Sequence, residues 1–235
     1  MENILKELRA LLQANADPEV QKGSGRFFKE SVTVYGVKTV IVKNIGRQIF
    51  ASIKDRPKDR IFALCEELWR SGYLEESFIA CDWSYYVRQD YLPADFSVFE
   101  SWVDAYVDNW ASCDTLCNHS IGCLVEMYPR FVEHLKDWTR SANRWKKRAA
   151  AVTLILPARK GLFLEAIFDI ADSLLSDPDD LVQKGYGWML KAASEAHQDA
   201  VFDFVVARKA SMPRTAYRYA LEKMPPERRS LAMKK

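Results

Sequence analysis

Hydrophobic residues recur along this 235-residue chain at intervals close to 3.6, and no convincing stretch alternates apolar and polar residues as a strand does. Apolar stripes with that period can be buried only by packing helices against one another, so the pattern dictates an all-α fold. The punctuation agrees. Asp17-Pro18 and Asp177-Pro178 each offer a cap followed by proline, Asn143 a cap ahead of RWKKRAAAV, and Gly72 a stop after FALCEELWRS. Helices are expected over 2–14, 18–30, 38–54, 58–71, 74–91, 95–107, 110–127, 129–140, 143–156, 161–175, 178–196, 199–210 and 213–223. The connections are short, so neighbours should pack antiparallel.

Segments beginning near Glu76, Ser112, Asn143 and Asp180 open helices of similar pattern, about 31 to 37 residues apart, close to the period of HEAT and armadillo repeats. The expected architecture is a single helical-repeat domain over 1–235, an α-α superhelix (solenoid) whose stacked helix pairs leave an extended concave surface. A non-repeating bundle is the alternative. The least regular stretch is 22–37, KGSGRFFKESVTVYGV, where Gly23, Gly25 and Gly36 are placed to mark a mobile entrance.

Composition matters here for what it excludes. With 49% hydrophobic residues the chain can fill a continuous core, which rules out disorder. It holds no apolar run of about 18 residues, and its first segment, MENILKELRALL, is amphipathic, carrying Glu2, Lys6, Glu7 and Arg9. A soluble, monomeric protein without an export signal or a membrane partner is expected. The five cysteines, at 65, 81, 113, 117 and 123, are odd in number and lie in apolar helical patterns, which fits reduced thiols and a cytoplasmic location.

The net charge of +2 hides a strong segregation. Between Lys136 and Lys160 stand eight Lys or Arg against one acid, Asp137, whereas residues 165–180 hold Glu165, Asp169, Asp172, Asp177, Asp179 and Asp180 and no base. A second basic stretch runs from Arg208 to Arg229. Stacked helices would turn this into a positive face, a concave basic groove, beside a negative rim, the footprint of a nucleic-acid binder. Solvated helix faces are the plainer reading of the same charges.

Three segments, NWASCD at 109–114, RWKKRAAAV at 144–152 and QKGYGWMLK at 183–191, carry the residues with chemical potential. Trp110 and Asp114 are four apart, about 40° around a helix, so an aromatic wall and a carboxylate share one face. Trp188, with Lys184 and Lys191 at i−4 and i+3, offers a second wall, and Arg148 lies on the intervening repeat. Singly, each has an ordinary structural explanation: a core tryptophan, a cap, a surface ion pair. Cys113, Cys117, His119 and Cys123 mimic a metal spacing, but on one helix His119 and Cys123 lie about 200° and 240° from Cys117, so they cannot converge on an ion. No metal, cofactor or phosphate loop is implied.

These segments, together with YGVKT at 35–39, ELWRSG at 67–72 and MPRTAYRYALEK at 212–223, resemble the DNA alkylation-repair glycosylases (AlkD-like proteins) over nearly the full length. The resemblance implies a HEAT-like solenoid around double-stranded DNA, and hydrolysis of the N-glycosidic bond of N3- or N7-alkylated purines. It assigns the catalytic carboxylate to Asp114, the lesion-site tryptophans to Trp110 and Trp188, and a backbone-binding arginine to Arg148. Arg144, Lys146 and Lys147 around Arg148 would hold further phosphates, as would Lys184 and Lys191, with Arg214 and Arg218 as further candidates. Phe27 stands where catalytic members often carry a tyrosine, and Lys191 where an arginine is common; a non-catalytic binder of damaged or branched DNA is therefore the second reading. A HEAT-type protein scaffold is the third.

Overall fold

The computed structural model describes residues 2–24 and 26–234; Met1, Gly25 and Lys235 lie outside the described residues, and with Gly25 one of the three glycines of the expected entrance. The expected all-α class holds: among the described residues there is no β-strand, only an isolated bridge between Thr33 and Tyr73. The chain divides into two compact units, Met1–Ser120 and Ile121–Lys235.

The first unit comprises α1 (Glu2–Ala14), α2 (Pro18–Ser24), α3 (Thr39–Ser52), α4 (Lys58–Arg70), α5 (Leu74–Tyr86), α6 (Asp95–Ala105) and α7 (Trp110–Leu116). Its core is aromatic, with Trp83, Tyr91, Phe99 and Trp102 almost wholly buried and the Trp83 indole N–H donating to the Gly46 carbonyl at 2.9 Å. The second unit comprises α8 (Gly122–Met127), α9 (Val132–Trp138), α10 (Arg144–Val152), α11 (Ile155–Arg159), α12 (Leu164–Ser173), α13 (Asp180–Ala193), α14 (Gln198–Ala207), α15 (Arg214–Ala220) and α16 (Pro226–Met233). Here α13 is central, packing on α10, α11 and α15. It meets α15 so closely that a Cβ on Gly187 would lie 2.8 Å from Tyr219 Cβ and 3.0 Å from the Ala216 carbonyl oxygen.

The repeat period read from the sequence recurs in the contacts. Gly46 meets Trp83, Ser84 meets Ser120 and Lys58 pairs with Asp95 in the first unit; Lys160 pairs with Glu126, Arg144 with Asp179 and Arg208 with Asp172 in the second. Each pair is separated by 34 to 37 positions. Equivalent places on successive repeats touch, which is how a helical-repeat chain builds its core.

Departures from the expected helices have local causes. The helix expected over 143–156 breaks after Val152, because Pro157 lacks an amide proton and its ring clashes with the carbonyl of Thr153 four residues earlier. The helix expected over 110–127 is interrupted by a widened π turn at Cys117–Ile121. That expected from 161 begins only at Leu164, behind a left-handed Phe163. The helix over 18–30 ends at Ser24, and α16 answers to no expected element, since PERRSLAM carries little amphipathy.

The irregular segment beyond α2 is tied down by two buried acids. Glu75 accepts from the backbone amides of Tyr35, Gly36 and Val37 at 3.1, 2.8 and 3.0 Å, and Glu76 from the Tyr35 hydroxyl at 2.7 Å and the Arg9 guanidinium at 3.0 Å. Gly36 has φ +88°, and a Cβ there would approach the Asp17 carbonyl oxygen to 2.7 Å, so the turn requires glycine. Cys65, Cys81, Cys113 and Cys117 are buried and, with Cys123, form no disulfide. No described helix is long and apolar enough to cross a membrane.

Candidate functional site

In the first unit the site is organised by Asn109. Its side chain accepts from the amides of Ala111 and Ser112 at 3.0 and 2.9 Å, capping α7 and fixing Trp110 as its first residue, with Asp114 one turn on. Both side chains are partly exposed. The Trp110 indole donates to the carbonyl of Phe27 at 3.3 Å, and its ring stacks on Phe28 with centroids 5.6 Å apart and planes 26° apart. Phe27 itself is 74% exposed, so it meets Trp110 through its backbone while its neighbour supplies the aromatic wall. Beside this pair opens a hollow of about 480 Å³, walled by Phe27, Phe28, Val42, Phe78 and Trp110.

After Asp114 the chain enters the π turn, where Asn118 donates to the Asp114 carbonyl at 3.0 Å. Such widened turns redirect side chains and gather at functional sites. His119, on this turn, packs on Tyr85 with centroids 5.3 Å apart. Desolvation lowers its pKa, which Asp82 partly restores and Lys43 lowers further; Asp82 is raised by its own desolvation, against the opposing charges of Lys43, His119 and Arg47. Among the described residues no group of three or more His, Cys, Asp or Glu is placed to hold a metal ion.

In the second unit α13 starts at its Asp179 cap, which accepts from Leu181 and Val182, and it carries Trp188 partly exposed. Arg148 is only 5% exposed: it lies under the first turn of α13, donates to the Leu181 carbonyl, and packs where a Cβ on Gly185 would come within 3.3 Å of its Cγ. The other cations of the basic window are likewise engaged. Arg144 pairs with Asp179 at 2.8 Å and covers the Trp145 ring at 4.9 Å, Lys147 pairs with Asp177, and Lys146 stands 5.6 Å from the Trp138 ring centre. Lys136 pairs with Asp169 at 2.8 Å and Lys160 with Glu126 at 2.7 Å. Lys184 pairs with Asp180, and Lys191 with Glu222, both at 3.0 Å. The acidic stretch and the basic window, segregated in sequence, are thus joined by ion pairs. Arg214 and Arg218 are exposed on α15.

The structure therefore brings Trp110, Asp114 and the Phe27 backbone together in one unit, and Arg144, Lys147 and Arg148 against the start of α13 in the other. Phe28, Asn109 and the acidic partners of the basic window were missed by sequence reasoning. The cap could have been found, since asparagine before a helical run is a start signal; the contact of Phe28 with Trp110 left no mark in an irregular segment.

The model of the family described as "DNA alkylation repair enzyme" matches residues 8–224. Among solved structures, a predicted DNA alkylation repair enzyme from Enterococcus faecalis is similar with a TM-score of 0.80 and 15% identity, over 90% of this chain and 98% of that one. No curated protein sequence matches.

Proposed function

Because the chain belongs to the DNA alkylation repair enzyme family, we propose that it is a monofunctional, metal-independent DNA glycosylase, which hydrolyses the N-glycosidic bond of cationic N3- or N7-alkylated purines in duplex DNA. The observation that carries this reading is the pairing of a partly exposed carboxylate, Asp114, with the partly exposed indole of Trp110 one turn away on a capped helix. An alkylated purine is already positive and departs as a neutral base without a general acid, so a single carboxylate suffices. Asp114 stabilises the oxocarbenium-like sugar and orients the attacking water. Trp110 and Trp188 offer π faces worth roughly 0.5 to 2 kcal/mol to a cationic base and little to a neutral one, so lesion charge sets selectivity.

Arg144, Lys147, Lys184 and Lys191 hold the DNA backbone in this reading, exchanging internal carboxylates for phosphates, with Lys146 beside them on the Trp138 ring, while Arg148 positions the start of α13. The protein works as a cytoplasmic monomer, its free thiols kept reduced. Single-turnover excision from duplex DNA containing 7-methylguanine tests the mechanism: Asp114→Asn should lower the rate by about 10²- to 10³-fold, the scale of losing one preorganised electrostatic contact. Equal rates for the two proteins would reject it. A non-catalytic binder of damaged or branched DNA is favoured by Phe27, whose ring lacks a hydroxyl, and by the pairing of Lys191 with Glu222. Tight binding of such DNA with no base release from any alkylated substrate would select that reading.

A further inference from the structure

The last two helices border an open hollow of about 790 Å³, lined on one side by Arg214 and Arg218 of α15 and Arg229 of α16. Its volume falls in the range of small-ligand sites. Its charge is unlike that of the basic window. Among the described residues no carboxylate pairs with Arg214, Arg218 or Arg229, whereas the neighbouring Arg228 pairs with Asp199 and Lys223 lies 3.7 Å from Glu195. The one acid in the lining, Glu222, is taken by Lys191 at 3.0 Å, and Lys191 in turn stands 5.5 Å from the Tyr219 ring centre. Three arginines therefore line a shared space, none of them in an ion pair among the described residues.

The remaining lining is divided. Thr215 and Ser230 add hydroxyls beside the arginines, while Leu221, Pro226, Met233 and the Tyr219 ring supply an apolar side. Arg214 and Arg218 sit one turn apart on α15, and Arg229 comes from a different helix, so the three can grip one multiply charged oxyanion from separate directions. Guanidinium forks match phosphate oxygens in pairs. A bare phosphate would leave the apolar side empty; a phosphate bearing a flat, weakly polar ring would fill it. We propose that this hollow is a nucleotide-phosphate site, taking a mononucleotide unit either free or, a source that rests on the DNA-binding reading above, as part of a DNA strand.

Titration calorimetry of the whole protein with deoxyadenosine monophosphate, deoxyadenosine and inorganic phosphate, and fluorescence anisotropy with unmodified duplex DNA, separate the two sources. If the free nucleotide is the ligand, it binds at least 10-fold more tightly than the nucleoside or phosphate, and Arg218→Ala/Arg229→Ala weakens it at least 10-fold. If a strand is the ligand, the nucleotide binds no better than phosphate, but the double variant weakens the duplex at least 10-fold and lowers its salt slope by about two. Both positions are exposed, so the variant should keep its melting temperature, and Arg218→Lys/Arg229→Lys should recover part of the affinity. Unchanged affinity of the variant for nucleotide and duplex alike, or no binding of either by the wild type, overturns the proposal. Asp114→Asn leaves this binding intact, so loss of base excision and loss of the hollow's ligand are separate results.

Discussion

Residues 136–160 and 214–229 are both rich in arginine and lysine, yet they differ in how much of that charge is met by acids. In the first, Lys136, Arg144, Lys147 and Lys160 are each matched to a carboxylate contributed from about one repeat away, and Arg148 is buried against a backbone carbonyl. In the second, Lys223 and Arg228 also meet acids, but Arg214, Arg218 and Arg229 stand exposed around an open hollow. Charge density along a sequence therefore does not measure the field a partner meets. Acids 30 to 35 positions away decide it.

The comparison can be broken by substitutions at both places. The largest effect is expected at Arg148→Ala, which opens a cavity beneath α13 and removes the guanidinium that donates to the Leu181 carbonyl, for a loss of about 3 kcal/mol in urea unfolding. A loss below about 0.5 kcal/mol would mean that Arg148 is a surface cation after all. Next comes Asp179→Ala, which removes both the cap of α13 and the partner of Arg144, for about 1–2 kcal/mol. Arg229→Ala should change stability by less than about 0.5 kcal/mol, because nothing folded depends on its charge.

The smallest effect concerns His119. Its folded-state pKa lies below the ordinary 6.5 because desolvation disfavours the cation. Protonation thus favours the unfolded chain, and stability present above pH 6.5 is lost as the pH falls through and below that value. In His119→Gln the acid limb of a stability–pH curve should flatten slightly; an unaltered limb would assign that loss to other groups.

Much of the fold was legible because helices that bury one face must repeat near 3.6, and because Asn143 and Gly72 mark ends by local chemistry alone. The breaks were less so. Pro157 signalled its break, but the π turn at Cys117–Ile121 depends on packing and carries no local signature. Of the candidate site, Trp110 and Asp114 followed from a spacing of four on one helix. The neutralisation of the basic window did not, since it depends on which acid faces which base across helices far apart in sequence. The stacking of Phe28 on the Trp110 indole was hidden for the same reason.

The stretch that looked like a mobile entrance has a consequence of its own. Glu75 gathers three consecutive amides of residues 35–37, and Glu76 adds the hydroxyl of Tyr35, so the anchored end cannot lift without surrendering several polar contacts at once. The side of the hollow that Val37 and Glu75 line is consequently preorganised. A ligand arriving there finds its surface already shaped, spends little of its affinity on ordering loops, and should associate at a rate that no slow opening step limits.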